Sequence, residues 1–556
     1  MTPSETARDA VTSPTASTAG SESEQPTTTV RSMTHRLMAQ HGLTTIFGNP
    51  GSNELPFLQD LPDDVNYVLG LHEGVVVGMA DGYSQALGRP VLVNLHAGSG
   101  TGNAMGALSN AVYSQTPLVV TAGQQVRSTI GLESFLSNVD ATQLTRPLTK
   151  WSSEPTCAAD VPRAFNEAVL ESVTGTKGPV YLSVPYDDWD QPSASNDRFL
   201  LDRSLTEARS LPAPVVEQLV RRLDEAPRVA LILGSAVDTV GASEDARILA
   251  ERLNADVWIA PSPYRLPFPN RHGQFTGVLP AAVADICSAL EDYDLALVLG
   301  APVFRYHQHV PGDYLPPNVE LIQITEETGA ATRAPFGEAV VADVAEATAA
   351  LARSVAARTN DRIDAWRDPE PAPEVTDGVF HPEKVFEVLR ETAPQDVTYV
   401  VESTSTNDSF WKQMDLRLPS SYFWPASGGL GFGMPASVGV QMALPDRQVL
   451  AVIGDGSANY GITALWSAAQ YGVPVVFVIL KNGTYGALRW FADVLGVPDA
   501  PGLDVPEIDF TALAKGYGVA GSTVSNEEEL ASVLTEAMAG DRPYLIEVET
   551  SLTAPQ

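Results

Sequence analysis

The chain has 556 residues, 44% of them hydrophobic and 18% charged, which is the composition of a globular protein with about three domains. Its 68 acidic residues outnumber 34 basic ones and give a net charge of -34, so the phosphate backbone of a nucleic acid would be repelled. No segment has the ~18 successive apolar residues of a membrane helix, and two cysteines exclude a disulfide framework, so we expect a cytoplasmic protein with neither a membrane nor a nucleic-acid partner.

The N-terminal segment, residues 1–29, predicts a disordered tail. It contains 13 serines or threonines with scattered proline and glutamate, and its apolar residues follow no period. A transit peptide is the alternative, but such a peptide is rich in arginine and poor in acids, whereas this segment has one arginine and several acids.

From about residue 30 onward, short apolar runs alternate with longer helical patterns. The runs are rich in β-branched residues and are bounded by Gly, Pro or Asp, which predicts an α/β fold whose parallel strands are buried on both faces. Three domains follow, at residues 30–188, 212–353 and 379–556, with polar segments between them. The predicted strands are Val91–Leu95, Leu118–Thr121, Val180–Val184, Val229–Leu233, Leu295–Leu299, Val449–Ile453 and Val475–Leu480.

Polar side chains occur in the first domain where predicted strands end. Ser52 lies in a Gly/Pro turn between a strand and a helix, which taken alone is an ordinary α/β loop. Glu73 lies where a strand meets a helix of small residues, so it can be a first-turn acid favoured by the helix dipole. The apolar and Gly-rich residues around Glu73 predict that it is partly buried.

Two histidines are candidates for acid–base chemistry. His96 follows the strand Val91–Leu95, and a strand-end histidine bonded to the loop backbone is its plainer interpretation. His307 follows a run of apolar and aromatic residues in the middle domain. From the residues alone, His307 is a member of an aromatic cluster, half of a metal pair with His309, or a proton-transfer group.

Residues 449–488 carry most of the functional interpretation. A strand, a helix and a second strand follow one another, with a tight turn predicted at Gly454-Asp455-Gly456, so Asp455 and Asn482 lie at the carboxyl ends of two parallel strands. Their oxygens suit Mg²⁺, and the Gly-rich turn offers N–H groups to phosphate. Gly454-Asp455-Gly456 alone, or Asn482-Gly483 alone, would be an ordinary turn, but the two together favour a site for metal and phosphate.

The run from Gly454-Asp455-Gly456 to Asn482 resembles the cofactor motif of thiamine diphosphate enzymes, with Lys481 standing where an asparagine is usual. Segments in all three domains resemble, more specifically, the benzoylformate decarboxylases of the 2-oxo acid decarboxylase family. These segments are residues 48–54, 91–108, 123–125, 184–190, 301–307 and 402–406. The resemblance implies three consecutive doubly wound parallel-sheet domains that bind, in order, the pyrimidine, no identified ligand, and the diphosphate.

The resemblance implies thiamine diphosphate as cofactor, with Mg²⁺, or Ca²⁺ in its place, held by Asp455, Asn482 and the carbonyl of Thr484. Glu73 would hydrogen-bond the aminopyrimidine ring, and Leu430 would lie under the cofactor and keep its two rings bent. The remaining implied cofactor contacts are Thr404, Ser405, Gly428, Gly456, Ser457, Tyr460, Tyr485 and Gly486. No residue pattern indicates FAD, and none is expected.

The implied reaction is the non-oxidative decarboxylation of phenylglyoxylate (benzoylformate) to benzaldehyde and CO₂ through a C2 adduct and an enamine, with carboligation to 2-hydroxy ketones as a side reaction. Ser52 would hold the substrate carboxylate, and His96 and His307 would relay protons. The implied substrate pocket consists of Ser52, Phe135, Leu136, Thr404, Asn407, Trp424, Leu488 and Phe491. Three of these, Phe135, Asn407 and Trp424, differ from the residues usual in the family, so another 2-oxo acid is an alternative.

Two further hypotheses are weighed. A carboligase of the acetolactate synthase type would use the same first steps, but such enzymes generally lack the pair His96 and His307. The second is a nucleotide-binding dehydrogenase or a non-catalytic relative. The dehydrogenase is disfavoured because neither 98–102 nor 429–433 completes Gly-x-Gly-x-x-Gly after a strand. The non-catalytic relative is disfavoured because the candidate residues for the pyrimidine and the metal are intact. The resemblance also implies a homo-oligomer, at least a dimer and usually a tetramer, in which first and third domains of different subunits meet.

Overall fold

The computed structural model describes residues 28–307, 309–505 and 507–552. These residues form three consecutive domains, each built on a six-stranded sheet in which every pairing of named strands is parallel. The α/β class predicted from the sequence is therefore confirmed. The predicted tail lies outside the described residues except at its end, where the expectation is wrong, because the side chain of Thr29 caps the first helix.

The first sheet has the strand order β2-β1-β3-β4-β6-β5. Its strands are β1 (Thr45–Asn49), β2 (Asn66–Leu69), β3 (Val91–Leu95), β4 (Leu118–Gln124), β5 (Trp151–Ser153) and β6 (Val180–Pro185). The helices of this domain are α1 (Val30–Gln40), α2 (Leu55–Leu58), α3 (Glu73–Leu87), α4 (Ala97–Tyr113), α5 (Arg127–Ile130), α6 (Ala141–Leu144) and α7 (Val161–Val173). Strands β3, β4 and β6 are buried along their whole length, as expected for parallel strands covered on both faces.

The middle sheet has the strand order β12-β11-β10-β7-β8-β9. Its strands are β7 (Val229–Leu233), β8 (Asp256–Ile259), β9 (Phe275–Val278), β10 (Leu295–Leu299), β11 (Glu320–Thr325) and β12 (Glu338–Val341). The helices are α8 (Ala213–Glu225), α9 (Ala236–Thr239), α10 (Ser243–Leu253), α11 (Val283–Leu290), α12 (Thr328–Arg333) and α13 (Val344–Ser354).

The third sheet, ordered β14-β13-β15-β16-β18-β17, repeats the connectivity of the first. Its strands are β13 (Thr398–Glu402), β14 (Tyr422–Phe423), β15 (Val449–Gly454), β16 (Val476–Lys481), β17 (Ala520–Val524) and β18 (Tyr544–Glu549). The helices are α14 (Pro382–Thr392), α15 (Asn407–Gln413), α16 (Gly433–Ala443), α17 (Asp455–Gly461), α18 (Ala464–Tyr471), α19 (Gly486–Val494), α20 (Phe510–Gly516) and α21 (Glu527–Ala539).

The tight turn expected at Gly454-Asp455-Gly456 is absent from the structure. Gly454 keeps an extended backbone (φ -68°, ψ 147°), and α17 begins at the next residue, Asp455. The strand therefore runs directly into a helix, and the backbone needs no left-handed residue at this point. Asp455 still lies at the carboxyl end of β15, where the sequence places it.

The first and third domains pack together through α3 and α16. A Cβ atom on Gly82 would lie 2.3 Å from the carbonyl oxygen of Ala436, and one on Gly439 would lie 1.9 Å from that of Met79. Glycine at these positions therefore lets the two helix backbones approach closely. In the part of the chain that the structure describes, no helix combines the length and apolar character needed to cross a membrane.

The strand order indicates where a ligand can bind to the first and to the third domain. In the first sheet the direction of winding reverses between β1 and β3, and in the third it reverses between β13 and β15. Open α/β sheets bind ligands beside the carboxyl ends of strands at such a reversal. The two reversals therefore indicate two places for functional residues.

Candidate active site

A cavity in the third domain lies at the carboxyl ends of β13 and β15. It is lined by Ser403, Thr404, Ser405, Thr406, Gly454, Asp455, Gly456, Ser457, Leu480, Asn482, Thr484, Tyr485 and Gly486. Nine of the residues that the family resemblance assigned to the cofactor are among them. The lining consists of small and polar side chains with one carboxylate, and it contains neither Lys nor Arg.

Asp455 joins the ends of two neighbouring strands. Its Oδ1 accepts a hydrogen bond from the backbone N–H of Gly456 at 2.8 Å, and its Oδ2 accepts from the N–H groups of Asn482 at 3.0 Å and Gly483 at 2.7 Å. Burial raises the pKa of Asp455, and these three N–H groups act in the opposite direction. The carboxylate thus holds the loop after β16 against the start of α17.

The loop after β16 presents further oxygen atoms beside Asp455. The amide oxygen of Asn482 accepts from the N–H of Thr484 at 3.1 Å, and Gly483 between them has φ +71°, which favours glycine. The hydroxyl of Thr484 donates to the Leu503 carbonyl at 2.7 Å. One carboxylate, one amide and the backbone carbonyls offer hard oxygen ligands of the kind that Mg²⁺ takes, so this donor set fits that ion.

Lys481, which departs from the usual motif, does not line this cavity. Its ammonium nitrogen lies 3.3 Å from Oε1 of Glu547 on β18, whose Oε2 accepts from the N–H of Phe510 at the start of α20. Lys481 therefore forms an ion pair away from the cavity lining, and Asn482 still lines the cavity beside Asp455.

The segment containing Gly428 and Leu430 immediately precedes α16. Gly428 and Gly431 have φ values of +77° and +95°, so two left-handed residues flank Leu430. The side chain of Asn110, on α4 of the first domain, donates from Nδ2 to the Gly429 carbonyl at 2.8 Å. Leu430 is half-buried. Tyr460, also expected to contact the cofactor, is exposed and packs against the backbone of Gly431.

The second group of predicted residues lies at the reversal point of the first sheet. His96 follows β3, and its Nδ1 lies 2.9 Å from Oε2 of Glu54, which follows β1. Glu54 is 1% exposed, and its two oxygens also accept from the N–H groups of Gly51 at 2.8 Å, Ala97 at 3.0 Å and Gly123 at 2.8 Å. An N–H on Nδ1 facing this carboxylate leaves Nε2 of a neutral His96 free to accept a proton.

Glu54 is a residue that the sequence reasoning missed. It was visible only as an acid two residues after Ser52 in a Gly/Pro loop, and nothing local distinguishes it from the many exposed acids of this chain. Its partner His96 is 42 residues away, so the pairing depends on β1 and β3 being neighbours in the sheet.

Glu73 begins α3 beside His96. Its carboxylate is 8% exposed, which confirms the predicted burial, and its Oε2 accepts from Nδ2 of Asn103 at 3.1 Å. A Cβ on Gly100 would lie 2.8 Å from Oε1 of Glu73 and 3.2 Å from Cβ of His96. Glu73 and His96 therefore both lie beside Gly100, where there is no room for a larger side chain. Ser52 is exposed nearby, and its hydroxyl donates to the side chain of Asn53 at 3.3 Å.

His307 and Phe491 meet where the middle and third domains approach each other. The two ring centroids are 5.0 Å apart in an edge-to-face arrangement, and the backbone N–H of His307 donates to the Ala281 carbonyl. His307 is exposed in the single chain. An aromatic contact of His307 is thus present, and no hydrogen bond or ring contact joins His307 to His96 among the residues that the structure describes.

The other expected pocket residues divide into a half-buried and an exposed set. The ring of Trp424 stacks on Tyr422 with centroids 6.5 Å apart, and the Tyr422 hydroxyl donates to Oδ1 of Asn407 at 3.4 Å. Phe135 is 87% exposed and Leu488 is 50% exposed, while Leu136 is half-buried. Within one chain, therefore, the predicted pocket residues do not enclose a substrate.

The candidate residues of the described chain lie in two separate groups, which we call half-sites. One contains Ser52, Glu73 and His96 in the first domain, and the other is the cavity around Asp455 in the third. No first-domain residue lines that cavity. A group of three or more His, Cys, Asp or Glu side chains able to hold a metal does not occur in residues 28–307, 309–505 and 507–552.

Three parts of the chain match models of one enzyme family. Residues 28–144 match the N-terminal TPP binding domain of the thiamine pyrophosphate enzymes, residues 216–351 the central domain and residues 404–548 the C-terminal TPP binding domain. TPP, thiamine pyrophosphate, is the same molecule as thiamine diphosphate.

Individual relatives are similar over almost the whole chain. Benzoylformate decarboxylase of Pseudomonas aeruginosa is 57% identical over 528 residues, which cover 95% of this chain and 100% of that protein. Among solved structures, the thiamine diphosphate-dependent 4-hydroxybenzoylformate decarboxylase of Rhodococcus jostii RHA1 has a TM-score of 0.93 at 57% identity, with 94% of this chain and 99% of that chain covered. Benzoylformate decarboxylase from Polynucleobacter necessarius has a TM-score of 0.91 at 35% identity, with 95% and 99% covered.

The matches agree with the two half-sites, because the N-terminal match contains the Glu73 group and the C-terminal match contains the Asp455 cavity. Together they cover part of each of the three domains, and a relative that is covered over its full length is 57% identical. The chain belongs to the thiamine pyrophosphate enzyme family.

Proposed function

We propose that this chain catalyses the non-oxidative decarboxylation of an aromatic 2-oxo acid, with phenylglyoxylate giving benzaldehyde and CO₂. The structural observation that carries the proposal is the arrangement of Glu73 and His96 around Gly100, with Glu54 holding His96 from behind. Full-length similarity to a benzoylformate decarboxylase and to a 4-hydroxybenzoylformate decarboxylase supports an aromatic substrate.

Thiamine diphosphate, when bound, supplies the electron sink into which the bond to the carboxylate breaks. The protein supplies positions and protons. Ser52 binds the substrate carboxylate, and Glu73 hydrogen-bonds the aminopyrimidine. His96, fixed through Nδ1 by Glu54, would use Nε2 to give a proton to the substrate carbonyl oxygen as that oxygen gains negative charge, and to take it back as the aldehyde is released. His307 would deliver the proton that replaces CO₂.

The cavity around Asp455 is proposed to bind the diphosphate. Asp455, Asn482 and the Thr484 carbonyl hold Mg²⁺, for which Ca²⁺ can substitute, and the small side chains and N–H groups of the lining receive the phosphate oxygens. Leu430 would contact the cofactor rings. These roles rest on the donor set of the loop and on the family resemblance.

The enzyme is proposed to be a homo-oligomer, at least a dimer, in which the first domain of one chain completes the third-domain cavity of another. The separation of the two half-sites in one chain and the exposure of Phe135 and Leu488 support this arrangement. Co-expression of Glu73→Gln with Asp455→Ala tests it. Mixed dimers have one intact site of two, so about a quarter of the parental activity is expected. Sites built within one chain would give no recovery.

A panel of 2-oxo acids tests the function itself. Purified enzyme with thiamine diphosphate and Mg²⁺ is incubated with phenylglyoxylate, 4-hydroxyphenylglyoxylate or pyruvate, and aldehyde, CO₂ and 2-hydroxy ketones are measured. Turnover of the two aromatic acids with release of aldehyde is expected, with 2-hydroxy ketones only as minor products. Conversion of pyruvate alone into acetolactate, without aldehyde from the aromatic acids, would replace the proposal by the carboligase alternative.

A further inference from the structure

Glu402, the last residue of β13, is a buried acid that the proposed chemistry does not use. Its side chain is 0% exposed, although the next four residues, 403–406, line the cofactor cavity. Its Oε1 accepts from the backbone N–H of Gly431 at 2.6 Å, its Oε2 accepts from that of Gly433, and Phe432 contributes a third N–H. These partners in the described chain are all backbone groups, and none is a cation.

The three N–H groups belong to the start of α16. Gly433 is the first residue of this helix, and Phe432, its N-cap, has no side chain that can cap it. N–H groups in the first turn of a helix have no acceptor within the helix, and the helix dipole favours a negative charge there. Glu402 therefore caps α16 from a neighbouring strand.

The capped segment is the one that carries Leu430. On one side of Leu430, Asn110 holds the Gly429 carbonyl, and on the other side Glu402 holds the N–H of Gly431. Fixing the backbone on both sides of a side chain fixes where that side chain can point.

The packing around Glu402 leaves this backbone little freedom to move. A Cβ on Gly433 would lie 2.8 Å from Cβ of Glu402 and 2.4 Å from Ile453, so the start of α16 lies directly against the ends of β13 and β15. Burial raises the pKa of Glu402, whereas the three N–H groups act in the opposite direction and favour the carboxylate form. Keeping an acid here is costly, and a carboxylate is the side chain that can accept several N–H bonds at once.

We propose that Glu402 is a positioning residue: by holding the backbone next to Leu430, it fixes the position of the Leu430 side chain relative to the two rings of the cofactor. The inference rests on the proposed place of Leu430 under the cofactor, and it adds a residue that does not itself touch cofactor or substrate. Loss of Glu402 should therefore act through Leu430.

A double-mutant cycle tests this coupling. Glu402→Gln keeps the size of the side chain but turns an NH₂ group towards a backbone N–H, so kcat should fall about tenfold with little change in KM. Leu430→Ala should lower kcat as well. In the Leu430→Ala background, Glu402→Gln should have less than about a twofold further effect, because the residue through which it acts is already gone.

A readout that needs no substrate separates this inference from the proposed reaction. Near-ultraviolet circular dichroism of bound thiamine diphosphate reports the relative orientation of its rings. Glu402→Gln and Leu430→Ala should change this spectrum in the same way. Asp81→Asn is the matched control, since Asp81 is also a fully buried acid but lies on α3, and it should leave the spectrum unchanged.

Specific results would contradict the proposed role of Glu402. Effects of Glu402→Gln and Leu430→Ala that multiply, or a parental spectrum and kcat in Glu402→Gln, would overturn the proposal. Where Glu402→Gln fails to fold, Glu402→Asp, which keeps the charge at the start of α16, takes its place in the same cycle. If the parent binds cofactor but decarboxylates none of the acids, the spectra still decide the role of Glu402, and only the proposed function fails.

Discussion

Replacing Glu54 by Gln is the most direct test of how the first half-site works. In the parent, Oε1 of Glu54 accepts from Ala97 and Gly123, and Oε2 accepts from Gly51 and His96. Glutamine has the same shape but only one accepting oxygen. If that oxygen stays with Ala97 and Gly123, its NH₂ group must face Gly51 and His96.

The Glu54→Gln substitution should have two effects, one on stability and one on activity. The N–H of Gly51 loses a bond to a charged acceptor and meets a donor, which costs about 2 kcal/mol of unfolding free energy. The NH₂ group also donates to Nδ1 of His96, which moves the ring proton to Nε2 and removes the acceptor proposed to face the substrate. Restoring the productive tautomer costs a further ~2 kcal/mol, or about a 30-fold loss in kcat/KM.

The assay is denaturant unfolding together with kcat and kcat/KM on phenylglyoxylate across pH. Asp81→Asn is the control, because Asp81 is buried in the same domain and accepts three side-chain hydrogen bonds but does not contact His96. The control should lose stability without losing kcat/KM. An unchanged kcat/KM and pH profile in Glu54→Gln, in a variant that folds, would refute the reasoning.

Four further predictions follow from the same geometry. Glu73→Gln should reduce exchange of the cofactor C2 proton, measured by NMR, by about 100-fold, and parental turnover would show the assignment to be wrong. Asp455→Asn, or chelation by EDTA, should abolish the thermal stabilisation that thiamine diphosphate plus Mg²⁺ gives the parent. Ser52→Ala should raise KM for the acid about tenfold with a smaller effect on kcat. Burial raises the pKa of Asp81 to about 6 from its usual 3.8, so the native state holds this proton more tightly and stability from this group falls as pH rises between these values. The stability of Asp81→Asn relative to the parent should therefore increase from pH 4 to 7 in unfolding experiments.

Much of the fold could be predicted because its signals are local. Val91–Leu95, Val229–Leu233 and Leu295–Leu299 are strands with the bounds that their apolar runs predict. The error at Gly454-Asp455-Gly456 arose because Gly-Asp-Gly is typical of turns. Here the N–H groups of the loop after β16 bond Asp455, which is the first residue of a helix. A tertiary hydrogen bond outweighed the local preference.

The site was predictable to the same degree. Asp455 and Asn482 are separated by one strand–helix–strand unit, and such spacing places them together without further knowledge. Glu54 and Glu402 gave no such signal, because their partners lie 42 and about 30 residues away and are brought near only by sheet order. Which chain completes each half-site is likewise set by contacts that no local pattern contains.

The three buried acids give the net charge of -34 a different meaning. Glu54, Glu402 and Asp455 each accept three backbone N–H groups, so none of them needs Lys or Arg, and the cavity around Asp455 is lined by neither. A diphosphate cannot lie beside an ionised carboxylate in such a cavity unless a cation is placed between them. Because the described lining of this cavity offers no cationic side chain, we propose that this cation is a metal ion held by the oxygen ligands after β16, which are of the kind that Mg²⁺ prefers. On this proposal the excess of surface acid serves solubility, and attraction of the anionic cofactor depends on the metal ion at this loop.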